Sequence, residues 1–337
     1  GIADRPAVPG SLKENTCNMK NTLAMMVALA MALTALKAQN TVKRETFVYA
    51  VKDSVTLRLD KYVDEQVTHS GKRPVFIYVH GGGFAMGSRI NALQIIYGKH
   101  FVSRGFVAIS IDYRLELANK KQPDEAASLS AVKTGYSDLI DATAFVISKA
   151  KEWDIDTGMI IISGGSAGAI ACLSAEYDIC NEGPHAQRLP KGFNYAGIIS
   201  HAGCVLVRQD SLKWKNKPCP MLLMHGNVDQ LVPFDKRAVL GDLYAGSSYI
   251  HRQLVQMNVS HWLYEESGAD HIVALKPLQY NFAETDAFID KFVMKKQHSI
   301  VHTIWKDEKP DSMKDLYNVV PLYITGWDRT DEEIKEK

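Results

Sequence analysis

Four short stretches hold residues whose types and spacing suit nucleophilic chemistry. In the first, Gly164-Gly165-Ser166-Ala167-Gly168, a serine stands between an apolar run, Met159 to Ser163, and a helical one that begins at Ala167. A G-x-S-x-G turn from strand to helix holds its serine in a strained backbone conformation and points the hydroxyl away from the sheet. Side chains at Gly164 and Gly168 would collide with neighbouring backbone, so small residues are required there. A serine at its ordinary pKa is a weak nucleophile and needs a base. Of the eleven histidines, His271 in "EESGADHIVAL" is placed best, in a Gly-containing loop just after a strand ending near Glu265. His80 and His225 also end strands, but each is followed by glycine and suits the shaping of a turn; His201 is the competing pocket histidine. The base in turn needs an acid to fix its tautomer and to stabilise the imidazolium. Asp229 in "MLLMHGNVDQLVPF" directly follows a strand and lies between Ser166 and His271 in the chain; Asp270 competes by adjacency alone. The fourth stretch, "HGGGF" from His80 to Phe84, offers bare backbone N–H groups to a developing oxygen anion, together with the N–H of Ala167. The chemistry these residues imply is acyl transfer through a serine.

Such residues are useful only if something brings them to one edge. "ETFVYAVKDSVTLRLDKYV" reads as a hairpin around Lys52, Asp53 and Ser54. Short apolar strands follow at Val75–Val79, Phe106–Arg114, Met159–Ser163, Ala196–Ser200, Met221–His225 and Trp262–Glu265. Between and after them come helical stretches at Asn91–Arg104, Ala131–Trp153, from Ala167, Ser247–Met257 and Asn281–Val293. The alternation predicts an α/β fold, a mostly parallel central sheet with an antiparallel N-terminal hairpin and helices on both faces. Sites in such sheets form beyond the carboxyl ends of the strands, where all four stretches lie.

The chain has 337 residues, 46% of them hydrophobic, and a net charge of +1, which suits one large domain and gives no reason to expect a nucleic-acid partner. No P-loop, G-x-G-x-x-G or zinc-ligand spacing is found, so neither cofactor nor metal is expected. From Met19 the chain reads "MKNTLAMMVALAMALTALKAQN": a basic start, a short apolar core and a small residue before Gln39, the pattern of a secretory signal. The apolar run is too short for a membrane span. The expected organisation is upstream sequence at 1–18, a signal at 19–38, a catalytic domain at 39–295 and a C-terminal extension of unassigned role at 296–337. Loss of residues 1–38 takes four basic and two acidic side chains, so +1 becomes −1. Export, to the periplasm or beyond, permits disulfides. Cys172 and Cys180 would lie roughly 12 Å apart on one helix, too far to bridge; Cys204 with Cys219 is possible, and so are unpaired thiols.

Having both "HGGGF" and "GGSAGA", the chain resembles the α/β-hydrolase esterases that include the hormone-sensitive-lipase and carboxylesterase groups, over roughly Val75 to Val293. The likeness is nearest to secreted bacterial esterases, among them feruloyl and acetyl-xylan esterases; "SIDYRL", "HGNVDQLVPF" and "GADHIVA" look like that branch. The resemblance implies an oxyanion hole from Gly82, Gly83 and Ala167. No helical cap segment precedes "HGGGF", and the tail from Ile300 lies outside the shared core. The expected activity is therefore hydrolysis of carboxylic esters by a Ser166–His271–Asp229 triad. The alternatives are a prolyl-oligopeptidase-like peptidase, which the absence of a propeller-length N-terminal region disfavours, and a binding protein on the same scaffold, which would be expected to lose a triad member. The expected substrate is a short acyl or feruloyl ester on a plant polysaccharide, admitted by an open, lidless site. Phe84, Met86, His201 and Trp214 are the candidate substrate-binding residues. The oligomeric state is left open.

Overall fold

The computed structural model describes residues 41–316. The leader expected at 19–38 and the end of the tail, 317–337, lie outside the described residues. β1 (Val42–Lys52) and β2 (Val55–Asp64) form the expected hairpin. They are joined by Asp53 and Ser54, both at positive φ (50° and 65°), the backbone of a two-residue turn whose twist matches that of the strands. Then follow β3 (Arg73–Val79), α1 (Ala92–Ser103), β4 (Val107–Ile111), α2 (Glu125–Ser148), β5 (Ile155–Gly165) and α3 (Ala167–Cys180). The second half contributes β6 (Gly197–His201), β7 (Cys204–Val207), β8 (Met221–Gly226), β9 (Lys236–Val239), β10 (Asp242–Gly246), α4 (Ser247–Gln256) and β11 (His261–Ser267). Two helices, α5 (Pro277–Tyr280) and α6 (Phe282–Phe288), and a final strand β12 (Ile300–Lys306) complete it.

Among the described residues, nine strands form the central sheet in the order β1-β2-β4-β3-β5-β6-β8-β11-β12. β1 and β2 are antiparallel to their neighbours, and every other pairing is parallel. Alternate strand residues feed two hydrophobic clusters on opposite faces. Val75, Ile77 and Val79 join the residues under α2 and α3, whereas Phe76 and Tyr78 join α1, Leu278 and Phe288. Parallel strands buried on both faces need helices on both, which is why their sequences read as unbroken apolar runs.

The structure departs from expectation in four places. α2 starts at Glu125 rather than Ala131 because the Asp124 side chain accepts the Ala127 N–H at 2.7 Å and caps it. α6 stops at Phe288 and passes into a wider helical turn over Ile289–Met294. A second sheet, β7-β10-β9, was not expected. Its β9–β10 hairpin turns on Leu240 and Gly241 (φ 47° and 88°), a pair without the Asn-Gly or Asp-Gly signature such turns usually show. The first residues of the tail, to which no role was assigned, add a largely exposed edge strand to the sheet. β12 pairs in parallel with β11 from His261↔Ile300 to Ser267↔Lys306, and Trp262 Nε1 donates to Thr303 Oγ1 at 3.0 Å.

Candidate active site

Ser166 joins β5 to α3 with φ 52° and ψ −122°, a left-handed conformation costing on the order of 1–3 kcal/mol in a residue with a side chain. Two features hold it there. Its N–H donates to the His201 carbonyl on β6 at 2.9 Å. A Cβ on Gly168 would overlap the Val79 carbonyl oxygen, so glycine lets α3 approach β3 closely. Ala167 is the first residue of α3, and its N–H is one of the donors a helix leaves without an internal acceptor.

His271 follows β11 in a short 3-10 turn. Its Nε2 lies 2.8 Å from Ser166 Oγ and its Nδ1 2.6 Å from Asp229 Oδ2. Asp229 is buried, and its Oδ1 accepts the N–H groups of Leu231 and Val232 at 2.8 and 3.0 Å. Burial pushes the Asp229 carboxyl up, but hydrogen bonds from His225 and His271 outweigh that and hold it well below the ordinary range. It is therefore a carboxylate at any working pH. Asp270 turns the other way: it accepts from Ile272 N–H (3.0 Å), Ser312 Oγ (2.7 Å) and Met313 N–H (2.9 Å), tying the segment after β12 to the site. Lys276 adds an ion pair to Asp311 at 2.7 Å.

His225 is the residue whose part the sequence reading understated. It is fully buried, with Nε2 3.2 Å from both Asp229 Oδ2 and the Val232 carbonyl. Two acceptors at Nε2 place a proton there, and Nδ1 accepts from Ser247 Oγ at 2.8 Å. The signal was its spacing: four residues before the acid, on the same strand end.

The glycine loop packs directly on the serine turn. Gly82 (φ 113°) closes a tight turn by accepting from Ala85 and Met86 N–H at 3.1 Å each, and a Cβ there would overlap the Met86 carbonyl. Gly83 (φ 63°) has open space where a Cβ would be. A cavity of about 430 Å³ lies over this centre, walled by Gly82, Gly83, Ser166, Ala167 and His271 among others. Phe84 lines it. The other three candidate binding residues do not. Met86 is an exposed side chain outside the cavity wall. Trp214 packs edge-on against Tyr177 at 5.0 Å. His201 is fully buried with its ring edge-on to Tyr97, and neither ring nitrogen has a hydrogen-bond partner among the described residues. Burial pulls that imidazole down to about 3. Its backbone, not its ring, serves the site. Cys172, Cys180, Cys204 and Cys219 are all buried and unpaired, so the possible Cys204–Cys219 bridge is absent.

A family model described as BD-FAE matches residues 59–185, a span that ends just after α3. Among solved structures, the chain is similar to esterase 2 of the Planctomycetes species Thermogutta terrifontis. The native form shows 21% identity, TM-score 0.53, and coverage of 75% of this chain and 92% of that one. Its form phosphoramylated by tabun shows 20% identity, TM-score 0.55, and coverage of 75% and 94%. The fold is that of the α/β-hydrolases. Curated sequences with partial likeness include the non-reducing polyketide synthase ausA of Emericella nidulans, 31% identical over 134 residues, and trt4 of Aspergillus terreus, 42% over 79 residues. These matches span only 5% and 3% of those synthases and 39% and 23% of this chain.

Proposed function

We propose that the protein is a serine hydrolase of carboxylic esters. The observation that carries this reading is the unbroken relay at the cavity floor: Ser166 Oγ to His271 Nε2 at 2.8 Å, and His271 Nδ1 to Asp229 at 2.6 Å. In the first step Oγ attacks the ester carbonyl carbon while Nε2 takes its proton. Asp229 stays ionised, keeps the other proton on Nδ1 and stabilises the imidazolium. The negative oxygen that forms turns to the N–H groups of Gly82, Gly83 and Ala167, with the positive end of α3 behind it. Collapse expels the alcohol, which receives its proton from Nε2. Water then repeats the sequence in reverse on the acyl-serine.

The finer reading is a short acyl or feruloyl ester carried on a plant polysaccharide, met outside the cytoplasm after removal of a leader. It is supported by the BD-FAE match, by the signal-like sequence from Met19, and by a cavity whose mouth no helical cap covers among the described residues. A substrate panel tests both levels. p-Nitrophenyl acetate and butyrate should be turned over, and a peptide anilide should not. Acetylated xylo-oligosaccharides should be cleaved with kcat/KM at least comparable to butyrate, and methyl ferulate should be cleaved measurably. Release from the nitrophenyl esters alone would retain the ester hydrolase and remove the polysaccharide.

A further inference from the structure

A second cavity, about 270 Å³, adjoins the catalytic one, and two side chains belong to the walls of both: Val132 on α2 and Leu206 on β7. Both are almost wholly buried. On α2, Leu129, Val132 and Tyr136 share one helix face, so the second cavity runs along that helix. On β7, Val205 and Val207 flank Leu206, and polar side chains, Ser174, Asp178, Asn181 and Arg208 among them, complete the lining.

Which half of an ester faces this partition follows from the position of the base. The leaving oxygen must stand beside His271 Nε2 to receive its proton, so the alcohol lies on the His271 side. That side is walled by Ala274, Leu275 and Leu278 from the base's own segment and by Met313. Leu278 belongs to the hydrophobic cluster on one face of the sheet, and Leu275 and Met313 pack against it. Phe84, Leu117, Val132, Ile170 and Leu206 belong to the cluster on the opposite face. None comes from the segment of His271. With the carbonyl oxygen directed at Gly82, Gly83 and Ala167, the acyl chain is the substituent left to enter this second, apolar half.

We infer that Val132 and Leu206 set the upper limit on acyl length, and that the cavity behind them is the space a longer acyl chain enters once they are cut back. The inference rests on the ester-hydrolase reading, and of its two measurements the second needs no turnover. Leu206→Ala, the milder Leu206→Val, and Val132→Ala are each compared with the parent for p-nitrophenyl octanoate over butyrate, as a ratio of kcat/KM. Buried methylenes are worth about fourfold each, so four more give a ceiling of about 250-fold; we expect the ratio to rise at least tenfold in Leu206→Ala. The turnover-independent measurement is calorimetric affinity for butyl- and octylboronic acids. Ser166 Oγ bonds to boron, its proton passes to His271, and the alkyl chain occupies the acyl half. The octyl-to-butyl affinity ratio should rise in parallel. An unchanged boronic ratio in all three folded variants, verified by circular dichroism, overturns the inference. So does a gain confined to the alcohol series, methyl to octyl butyrate. Absence of turnover in the parent, with the boronic ratio shifted as expected, removes the ester reading and leaves the partition standing.

Discussion

Replacing Asp229 by asparagine changes one atom in the site and separates the acid from its neighbour Asp270. The carboxylate accepts four hydrogen bonds: Leu231 and Val232 N–H on one oxygen, His271 Nδ1 and His225 Nε2 on the other. An amide can keep the first pair only by presenting its NH2 to the two histidines. His271 must then make Nδ1 an acceptor, which moves the proton to Nε2, the atom 2.8 Å from Ser166 Oγ that has to be bare to accept the serine proton. The wrong tautomer costs about 10⁴-fold in rate in enzymes built this way, equivalent to about 5 kcal/mol of barrier. Asp229→Asn should therefore lose 10³- to 10⁴-fold in kcat on p-nitrophenyl butyrate with KM within about threefold. Asp270→Asn should instead loosen Ser312 and Met313, lowering the thermal midpoint while kcat falls less than about tenfold. Asp229 is not the acid of the triad if Asp270→Asn is the more damaging of the two in kcat, or if Asp229→Asn retains a tenth of parental kcat.

Two further outcomes follow from the buried histidines. His225→Phe removes one hydrogen bond to a charged acceptor, worth about 1.5–3 kcal/mol, so kcat should fall roughly 10- to 150-fold with KM nearly unchanged; His225→Gln, which can still donate, should recover part of it, and equal losses in both variants would argue for packing alone. Burial holds His201 neutral in the folded protein down to about pH 3, whereas the unfolded chain takes up the proton below about 6.5. Stability is thus lost as pH falls through that window, by up to about 2–3 kcal/mol between pH 7 and 4.5. His201→Leu should flatten this acid dependence in urea melts, and an unchanged slope would contradict it.

The sheet was legible because each parallel strand is a short apolar run followed by glycine or a polar turn, and β5 into Gly164–Gly168 is the plainest case. That Ser166, His271 and Asp229 meet was legible for a related reason: each stands within four residues of a strand end, and those ends share one edge. Side-chain direction was not. Met86, His201 and Trp214 have types that suit a binding wall, yet Met86 after the tight turn at Gly82 is exposed, the ring of His201 packs against Tyr97 of α1, and Trp214 packs against Tyr177. Pairings between distant segments were equally silent. β12 is recognisable only by its partner β11, and the hold of Asp270 on Ser312 and Met313 spans more than forty residues of chain.

Ser166 is the residue expected to accept the acyl group, and covalent capture reads this at the side chain itself. After incubation with paraoxon, peptide mass spectrometry should find one diethylphosphoryl adduct per chain, on Ser166, appearing in step with the loss of p-nitrophenyl butyrate hydrolysis. Ser166→Ala, whose altered side chain points into the cavity rather than the core, should stay folded, take no adduct and lose activity by several orders of magnitude. An adduct on any other residue, or hydrolysis persisting in Ser166→Ala, would place the nucleophile elsewhere.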